Sequence, residues 1–133
     1  MRIAEVLAIS AADAEALRVA GIETDTDLLD RAWGRADRRR LAAQTGIAER
    51  TLLEWTDHVH LVSVPGVGLT FARLLEAAGV DSCAELARRD ATHLSETMAD
   101  LIAARATIRH RPDRGEVAGW IQEAQAIQGR VER

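Results

Sequence analysis

The feature that most constrains this chain is the segment Val64-Pro65-Gly66-Val67-Gly68, after which apolar residues recur every three or four positions as far as Gly79. Gly66 and Gly68 allow the backbone to turn sharply, because glycine adopts positive φ angles at little cost. The spacing after Gly68 predicts an amphipathic helix. The start of such a helix presents unpaired N–H groups and the positive end of the helix dipole, which together attract anions. The segment therefore predicts a tight hairpin between two helices, with an anion site at the start of the second helix.

The rest of the chain also has a helical pattern. Of its 133 residues 47% are hydrophobic but only 3% are aromatic, and a chain of this length fits one domain over residues 1–133. No segment shows the strict alternation of apolar and polar residues that is typical of a half-buried strand. We therefore expect an all-α protein with helices near Arg2–Leu7, Ala11–Ala20, Asp25–Ala32, Ala36–Thr45, Glu49–Val62, Leu69–Ala78, Cys83–Arg88, Ala91–Ala104 and Glu116–Gln128.

The composition also predicts where the protein works. The chain has no long apolar run, so we expect no membrane span and no membrane partner. The start Met1-Arg2-Ile3-Ala4-Glu5 has a charged residue inside what would be the apolar stretch of a signal peptide, so we expect no signal peptide. Cys83 is the only cysteine, which excludes an internal disulfide and suits a reducing compartment. The expected location is the cytoplasm.

Charge limits the range of partners and chemistry. All 17 basic residues are arginine, so no lysine can form a Schiff base or act as a general base. The formal net charge of −4 gives no overall attraction to nucleic acid, so binding to a phosphate backbone would need a local basic surface.

A segment near the start of the chain is repeated 58 positions later, where Ala20–Leu29 aligns with Ala78–Ala87. In both copies a helix ends at Ala-Gly, and a capping box opens the next helix, with Thr24 and Asp27 in one copy and Ser82 and Glu85 in the other. This pattern predicts a tandem helix-hairpin-helix pseudo-repeat, with copies at residues 1–60 and 61–133, packed as one small helical domain. At the same offset Ala8-Ile9-Ser10 aligns with Gly66-Val67-Gly68, so the first hairpin lacks both glycines.

Taken together, these features resemble bacterial proteins of the domain-of-unknown-function family four-three-three-two, which are built from tandem helix-hairpin-helix units. The resemblance spans nearly the whole chain and rests on Gly21-Ile22, Leu28-Leu29, Arg39-Arg40-Leu41-Ala42, Thr45-Gly46-Ile47, Trp55, Pro65-Gly66-Val67-Gly68, Leu74-Leu75, Ala78-Gly79-Val80, Glu85-Leu86-Ala87, Arg111-Pro112, Val117 and Trp120-Ile121. It implies a fold and no particular chemistry. The wider helix-hairpin-helix group implies DNA contact that is independent of sequence, although many of its members bind only proteins.

The hairpin supplies the first candidate site residues. The backbone N–H groups of Gly66, Val67 and Gly68 could hold one phosphate, with the hydroxyl of Thr70 and the guanidinium of Arg73 close behind. The alternative is that the glycines only make a tight turn that packs two helices together. The glycine pair by itself fits both interpretations.

Two arginine clusters could add positive charge. Arg35, Arg38, Arg39 and Arg40 surround the start of a helix, and we favour a solvated face paired with Asp27 and Asp30. The second cluster is the better candidate for phosphate contact, because a loop there concentrates cations on an acidic protein, although a solubilising connector is an alternative. It comprises Arg105, Arg109, His110, Arg111 and Arg114, and we add Arg109, Arg111 and Arg114 to the predicted site.

The sequence does not favour metal binding or catalysis. His58 and His60 lie two positions apart on a helix and therefore point to different faces. Cys83 fits a small core residue, and no pair of carboxylates suggests acid–base chemistry. The tryptophans Trp33, Trp55 and Trp120 fit core packing better than base stacking. We expect no metal, no cofactor and no enzymatic activity.

The resulting hypothesis is a small binding module that contacts nucleic acid without sequence specificity through the Gly66–Gly68 hairpin. The alternative is a protein–protein adaptor that uses an apolar surface between the repeats. Arginines beside the glycine hairpin favour nucleic acid, whereas an exposed apolar patch favours the adaptor.

Overall fold

The computed structural model describes residues 1–133, which form nine α-helices and no β-strand. The all-α prediction is therefore confirmed, and the helix ends lie within two residues of the predicted ends. The helices are α1 (Ile3–Val6), α2 (Ala11–Val19), α3 (Asp25–Asp30), α4 (Arg35–Thr45), α5 (Glu49–Ser63), α6 (Gly68–Ala77), α7 (Cys83–Leu86), α8 (Ala91–Ala103) and α9 (Arg114–Gln128).

The chain divides into two compact units. The first unit contains Met1–His60 together with Arg130–Arg133, and the second contains Leu61–Gly129. The last four residues thus lie with the first unit, whereas the predicted repeat placed them with the second. We describe each unit separately.

The helices of the first unit pack around a core of aliphatic side chains. α2 packs against α4, and α1 packs against α3. The N–H of Ile3 donates to the carbonyl of Glu23 (2.9 Å), which ties the start of the chain to the connection before α3. The largest fully buried side chains are those of Leu17, Ile22, Leu28, Leu41, Leu52 and Val59.

The second unit encloses its own core, in which α9 packs against α7 and α8. Trp120 on α9 is buried in this core, as is Cys83 at the start of α7. Trp33 and Trp55, by contrast, are only half-buried, so core packing describes Trp120 better than the other two tryptophans. Other members of the core are Leu75, Val80, Leu86, Leu94 and Met98.

The ends of α2 and α6, which lie 58 positions apart, have the same geometry. Gly21 and Gly79 have φ angles of +90° and +89°. The N–H of Ile22 donates to the carbonyl of Leu17, and the N–H of Val80 donates to that of Leu75, both at 2.8 Å. These are the bonds of a Schellman motif, in which a left-handed glycine ends a helix.

Two arginines at the same offset of 58 close these helix ends. Arg31 Nη1 donates to the carbonyl of Ala20 at 3.0 Å, and Arg89 Nη2 donates to the carbonyl of Gly79 at 3.2 Å. A guanidinium that binds the last carbonyls of a helix also interacts favourably with the negative end of the helix dipole. Sequence and geometry thus coincide at these helix ends.

The starts of the following helices differ in one detail. The hydroxyls of Thr24 and Ser82 each accept a backbone N–H three residues later, at 3.1 Å. Asp27 also accepts the N–H of Thr24, which completes a capping box, whereas the carboxylate of Glu85 bonds Arg89 instead. The predicted box at Thr24 is confirmed, and the one at Ser82 is only half formed.

Candidate functional site

The hairpin of the second unit joins α5 to α6 through residues 64–67. Gly66 and Gly68 have φ angles of +87° and +62°, a region that only glycine adopts readily. Between them Val67 is only 3% exposed, and its N–H donates to the carbonyl of Val64 at 2.9 Å. Val67 therefore anchors the turn in the core, and its N–H is already used. This is contrary to the expectation that it would bind a phosphate.

The two glycines are required for different reasons. A Cβ atom at Gly66 would lie 3.1 Å from Nε1 of Trp120, so a side chain there would press against the buried indole and require it to shift. A Cβ atom at Gly68 would have no atom within 4 Å. The packing explanation therefore applies to Gly66, whereas the backbone at Gly68 borders open space.

The start of α6 has N–H groups that the chain does not use. No side chain caps this helix, and the N–H groups of Gly68, Leu69 and Thr70 have no acceptor. Of the three predicted donors, Gly68 thus remains at the helix start, and the N–H groups of Leu69 and Thr70 join it as candidates. Three unpaired N–H groups in the first turn of a helix, together with the helix dipole, form a site for one anionic group such as a phosphate.

Six of the other eight helices begin differently, whereas α1 also lacks a side-chain cap and the N–H groups of residues 49–51 at the start of α5 also lack an acceptor. At α4 the first N–H group is bonded by a carboxylate, because Oε1 of Glu132 accepts the N–H of Arg35 at 2.9 Å. Five other helices are closed by the side chain that precedes them. These capping residues are Ser10, Thr24, Ser82, Asp90 and Asp113. The unused donors of α6 are therefore not a general property of this fold.

Two arginines lie beside the start of α6. Thr70 and Arg73 line a cavity of about 200 Å³ together with Leu74, Arg105 and Ile108. Thr70, Arg73 and Arg105 are exposed, and no acidic side chain lines this cavity. Arg105 Nη1 donates to the carbonyl of Leu101 at 2.7 Å, which holds the guanidinium at the end of α8 and leaves its other N–H groups for a ligand. Arg105 is the residue that the predicted site omitted.

The other predicted arginines are placed differently. Arg109, Arg111 and Arg114 are all exposed. Arg111 and Arg114 line a separate cavity of about 260 Å³, which also contains the carboxylates Glu96 and Asp113. Their positive charge is therefore partly balanced, and Arg109 lines neither cavity. The structure groups Arg105 with the hairpin and Arg111 with Arg114.

Aromatic contacts place the loop before α9 next to α6. The ring of His110 meets the ring of Phe71 edge-on, with 6.2 Å between their centroids, and Phe71 lies 5.6 Å from the ring of Trp120. Nε2 of His110 is 2.8 Å from the carboxylate of Glu116 on α9. These contacts explain how Ile108, which is distant in sequence, comes to line the cavity beside Thr70.

The first arginine cluster differs from its prediction. Arg38 is only 3% exposed, and its Nη1 donates to the carbonyls of Ala32 and Trp33 at 2.8 and 3.1 Å. Burial lowers the pKa of this guanidinium from its usual value, and the nearby carboxylates of Asp57 and Glu132 partly oppose that effect. The expectation of a solvated face paired with Asp27 and Asp30 is therefore wrong for Arg38.

No group of three or more histidine, cysteine or acidic residues is arranged to hold a metal ion. None of the nine helices combines the length and the apolar character that crossing a bilayer requires.

The fold and site define a small, two-unit, all-α protein with an uncapped glycine hairpin. The family model described as Domain of unknown function (DUF4332) matches residues 7–127, so the chain belongs to this family. The resemblance inferred from the sequence is thereby confirmed. Comparisons with curated proteins and with solved structures gave no match.

Proposed function

We propose that this protein is a small non-enzymatic module that binds nucleic acid without sequence specificity, by holding a backbone phosphate at the start of α6. The observation that carries the proposal is the set of unused N–H groups at Gly68, Leu69 and Thr70, beside which Arg73 and Arg105 lie. Backbone donors and arginines are the groups that bind phosphates in proteins that ignore base identity.

Charge placement favours this proposal over the adaptor. A protein of net charge −4 needs a local basic surface, and the cavity beside Thr70 contains two arginines and no acid. An adaptor needs an exposed apolar patch, but the exposed large apolar side chains are those of Met1 and Val19. The single cysteine, Cys83, is consistent with a module that works in the reducing cytoplasm.

The few cations involved set the expected strength of binding. Non-specific binding has dissociation constants on the order of 10⁻⁴–10⁻⁶ M at physiological salt, and it weakens as salt rises because counterions are released. With Arg73 and Arg105 as the cations at the hairpin, the logarithm of the affinity should fall with the logarithm of salt concentration with a slope of about −2.

The test is to add a carboxylate where the phosphate is proposed to bind. Gly68→Glu should abolish binding of a labelled duplex or single strand at low salt, whereas Gly68→Ala, which adds only backbone strain, should weaken it slightly. Gly46→Glu is a matched control, because Gly46 has a φ angle of +74° and its Cβ would also have no atom within 4 Å. It adds the same charge and similar strain, yet should leave binding unchanged.

Thermal melts establish that each variant is folded. If the wild type fails to bind at low salt, or if folded Gly68→Glu binds as well as Gly46→Glu, the phosphate proposal is wrong. The protein–protein adaptor would then be the better hypothesis.

A further inference from the structure

A second feature of the structure involves the segment Arg130–Arg133, which lies on the first unit. The N–H of Glu132 donates to the carbonyl of Trp33 at 2.9 Å. The carboxylate of Glu132 accepts the N–H of Arg35 at the start of α4, also at 2.9 Å. The side chain of Arg35 donates in turn to the carbonyl of Arg133.

Two buried charges of the first unit have partners in this segment. Asp57 is 8% exposed, and its two carboxylate oxygens accept Nη1 and Nη2 of Arg133 at 2.8 and 2.9 Å. The buried guanidinium of Arg38 donates to the carbonyl of Glu132. Asp57 also lies near the guanidinium of Arg38, so the segment adds to the compensation of a charge that already has one neighbour of opposite sign. The first unit therefore offers the segment 130–133 a set of charged and polar partners.

An aromatic contact adds a third point of recognition. The guanidinium of Arg130 lies 4.3 Å from the centroid of the Trp33 ring, within the range of a cation–π interaction. The ring of His60 contacts the same indole, with 4.4 Å between centroids. The site thus contacts three side chains of the segment, namely Arg130 through Trp33, Glu132 through the start of α4, and Arg133 through Asp57.

We infer that the first unit is a receptor for a peptide of the pattern Arg-x-Glu-Arg. The segment 130–133 is its resident occupant, and a partner protein that presents an exposed segment of the same pattern displaces it. Each side chain of the pattern has a receptor group of matching chemistry, in the same order along the segment. An aromatic face meets the first arginine, the start of a helix meets the glutamate, and a buried carboxylate meets the last arginine. This inference does not depend on nucleic-acid binding.

Intramolecular occupancy hides such a receptor. A tethered segment has an effective concentration of up to about the millimolar range, so a free peptide competes poorly with it. The contacts are noncovalent, and the Arg133 side chain is 44% exposed, so the segment can exchange. Weakening the resident segment should therefore reveal binding of the same peptide in trans.

The test uses a fluorescein-labelled peptide of residues 129–133 and measures its anisotropy with full-length protein. Glu132→Ala combined with Arg133→Ala should bind the peptide at least about tenfold more tightly than the wild type, because the resident segment no longer competes. Adding Asp57→Asn should reverse that gain, since the buried partner of the peptide arginine loses its charge. The matched control is Asp37→Asn, which alters an exposed carboxylate of α4 that pairs with Arg40.

A charge reversal separates recognition from a structural role. A peptide with glutamate in place of Arg133 should not bind the Glu132→Ala, Arg133→Ala protein, but it should bind once Asp57→Arg is added. If the double variant is unfolded by itself, saturating peptide should restore its cooperative melt, since a ligand that binds only the native state stabilises it.

Three results would overturn the inference. The first is that the Glu132→Ala, Arg133→Ala protein is folded but does not bind the peptide at millimolar concentration, or that it is unfolded and saturating peptide does not restore a cooperative thermal transition. The second is equal binding with Asp57→Asn and Asp37→Asn. The third is a concentration-dependent dimer that Asp57→Asn abolishes, since the occupant would then be a second copy of this chain.

Discussion

The ends of α2 and α6 lie 58 residues apart and have the same geometry, but the two helices begin differently. The hydroxyl of Ser10 closes the start of α2 by accepting the N–H of Asp13 at 3.1 Å. At the equivalent position α6 has Gly68, which has no side chain and sits at positive φ. One helix start is therefore satisfied by its own chain, and the other keeps unused donors.

This difference separates what the fold requires from what a ligand could use. Ending a helix with a left-handed glycine and an arginine is useful in both units, because it satisfies terminal carbonyls and lets the chain turn. Leaving the N–H groups of Gly68, Leu69 and Thr70 without acceptors does not help folding. At the exposed start of α6 these groups face solvent, where an external anion can replace the water that they would otherwise bond.

The largest expected effect is on stability, and it concerns the feature that α2 and α6 share, namely the way in which each helix ends. Leu17 and Leu75 lie 58 positions apart, are fully buried, and each provides the carbonyl that closes its helix end. Leu17→Ala and Leu75→Ala should each lower the free energy of unfolding by about 2–5 kcal/mol, through lost burial and the cavity that remains. Urea denaturation measures both. A neutral effect at either position would mean that the two helix ends do not have equivalent roles.

The second largest expected effect is a loss of stability at acid pH, which arises from a buried histidine of the first unit. His60 is buried in the first unit, and burial, with a smaller contribution from the charge of Arg130, lowers its pKa to about 4. The exposed His93 and His110 belong to the second unit. Because unfolded His60 takes up a proton near pH 6.5 and the folded form does not, its contribution to stability is complete above that pH. As the pH falls to 4, about 3 kcal/mol should be lost.

Unfolding free energies at pH 7, 5.5 and 4 test this loss. His60→Phe keeps an aromatic ring against Trp33 and cannot titrate, so it should remove most of the pH dependence in this range, whatever its stability at pH 7. An unchanged slope in His60→Phe would show that other groups cause the acid sensitivity.

The smallest expected effect concerns the two helix starts themselves. Ser10→Ala removes the cap of α2 and should cost about 1 kcal/mol of stability, with no change in nucleic-acid binding. Thr70→Ala removes an exposed hydroxyl of α6 and should change stability by less than about 0.5 kcal/mol, yet weaken binding measurably. Paired chemical denaturation and binding titrations check both variants. If Thr70→Ala lowers the stability as much as Ser10→Ala does, the proposed difference between the two helix starts is wrong.

Much of the fold could be predicted from the sequence, because local rules determine it. The helix ends at Gly21 and Gly79 and the capping box at Thr24 depend on residues a few positions apart, and the structure has them where the sequence predicted. The site was less accessible. The use of the Val67 N–H by Val64 depends on the angles within one turn, which the letters Gly-Val-Gly do not specify.

Long-range contacts account for the other differences. Arg105 comes beside Thr70 because Ile108 and His110 fold the following loop against α6, and the sequence spacing gives no signal of that path. The bond between Asp57 and Arg133 joins residues 76 positions apart, and neither residue stands out in the sequence. The periodicity and caps of a sequence predict helices, but not which charged side chains of distant helices meet.

The most direct test of an anion site at α6 is to follow single backbone amides in ¹⁵N-labelled protein while a short oligonucleotide duplex is added at low salt. The amide signals of Gly68, Leu69 and Thr70 should shift progressively and return when salt is raised, because their N–H groups acquire an acceptor. The amides at the start of α2, in residues 11–13, should stay in place. Equal shifts at both helix starts, or none at Gly68 while binding occurs elsewhere, would contradict the site.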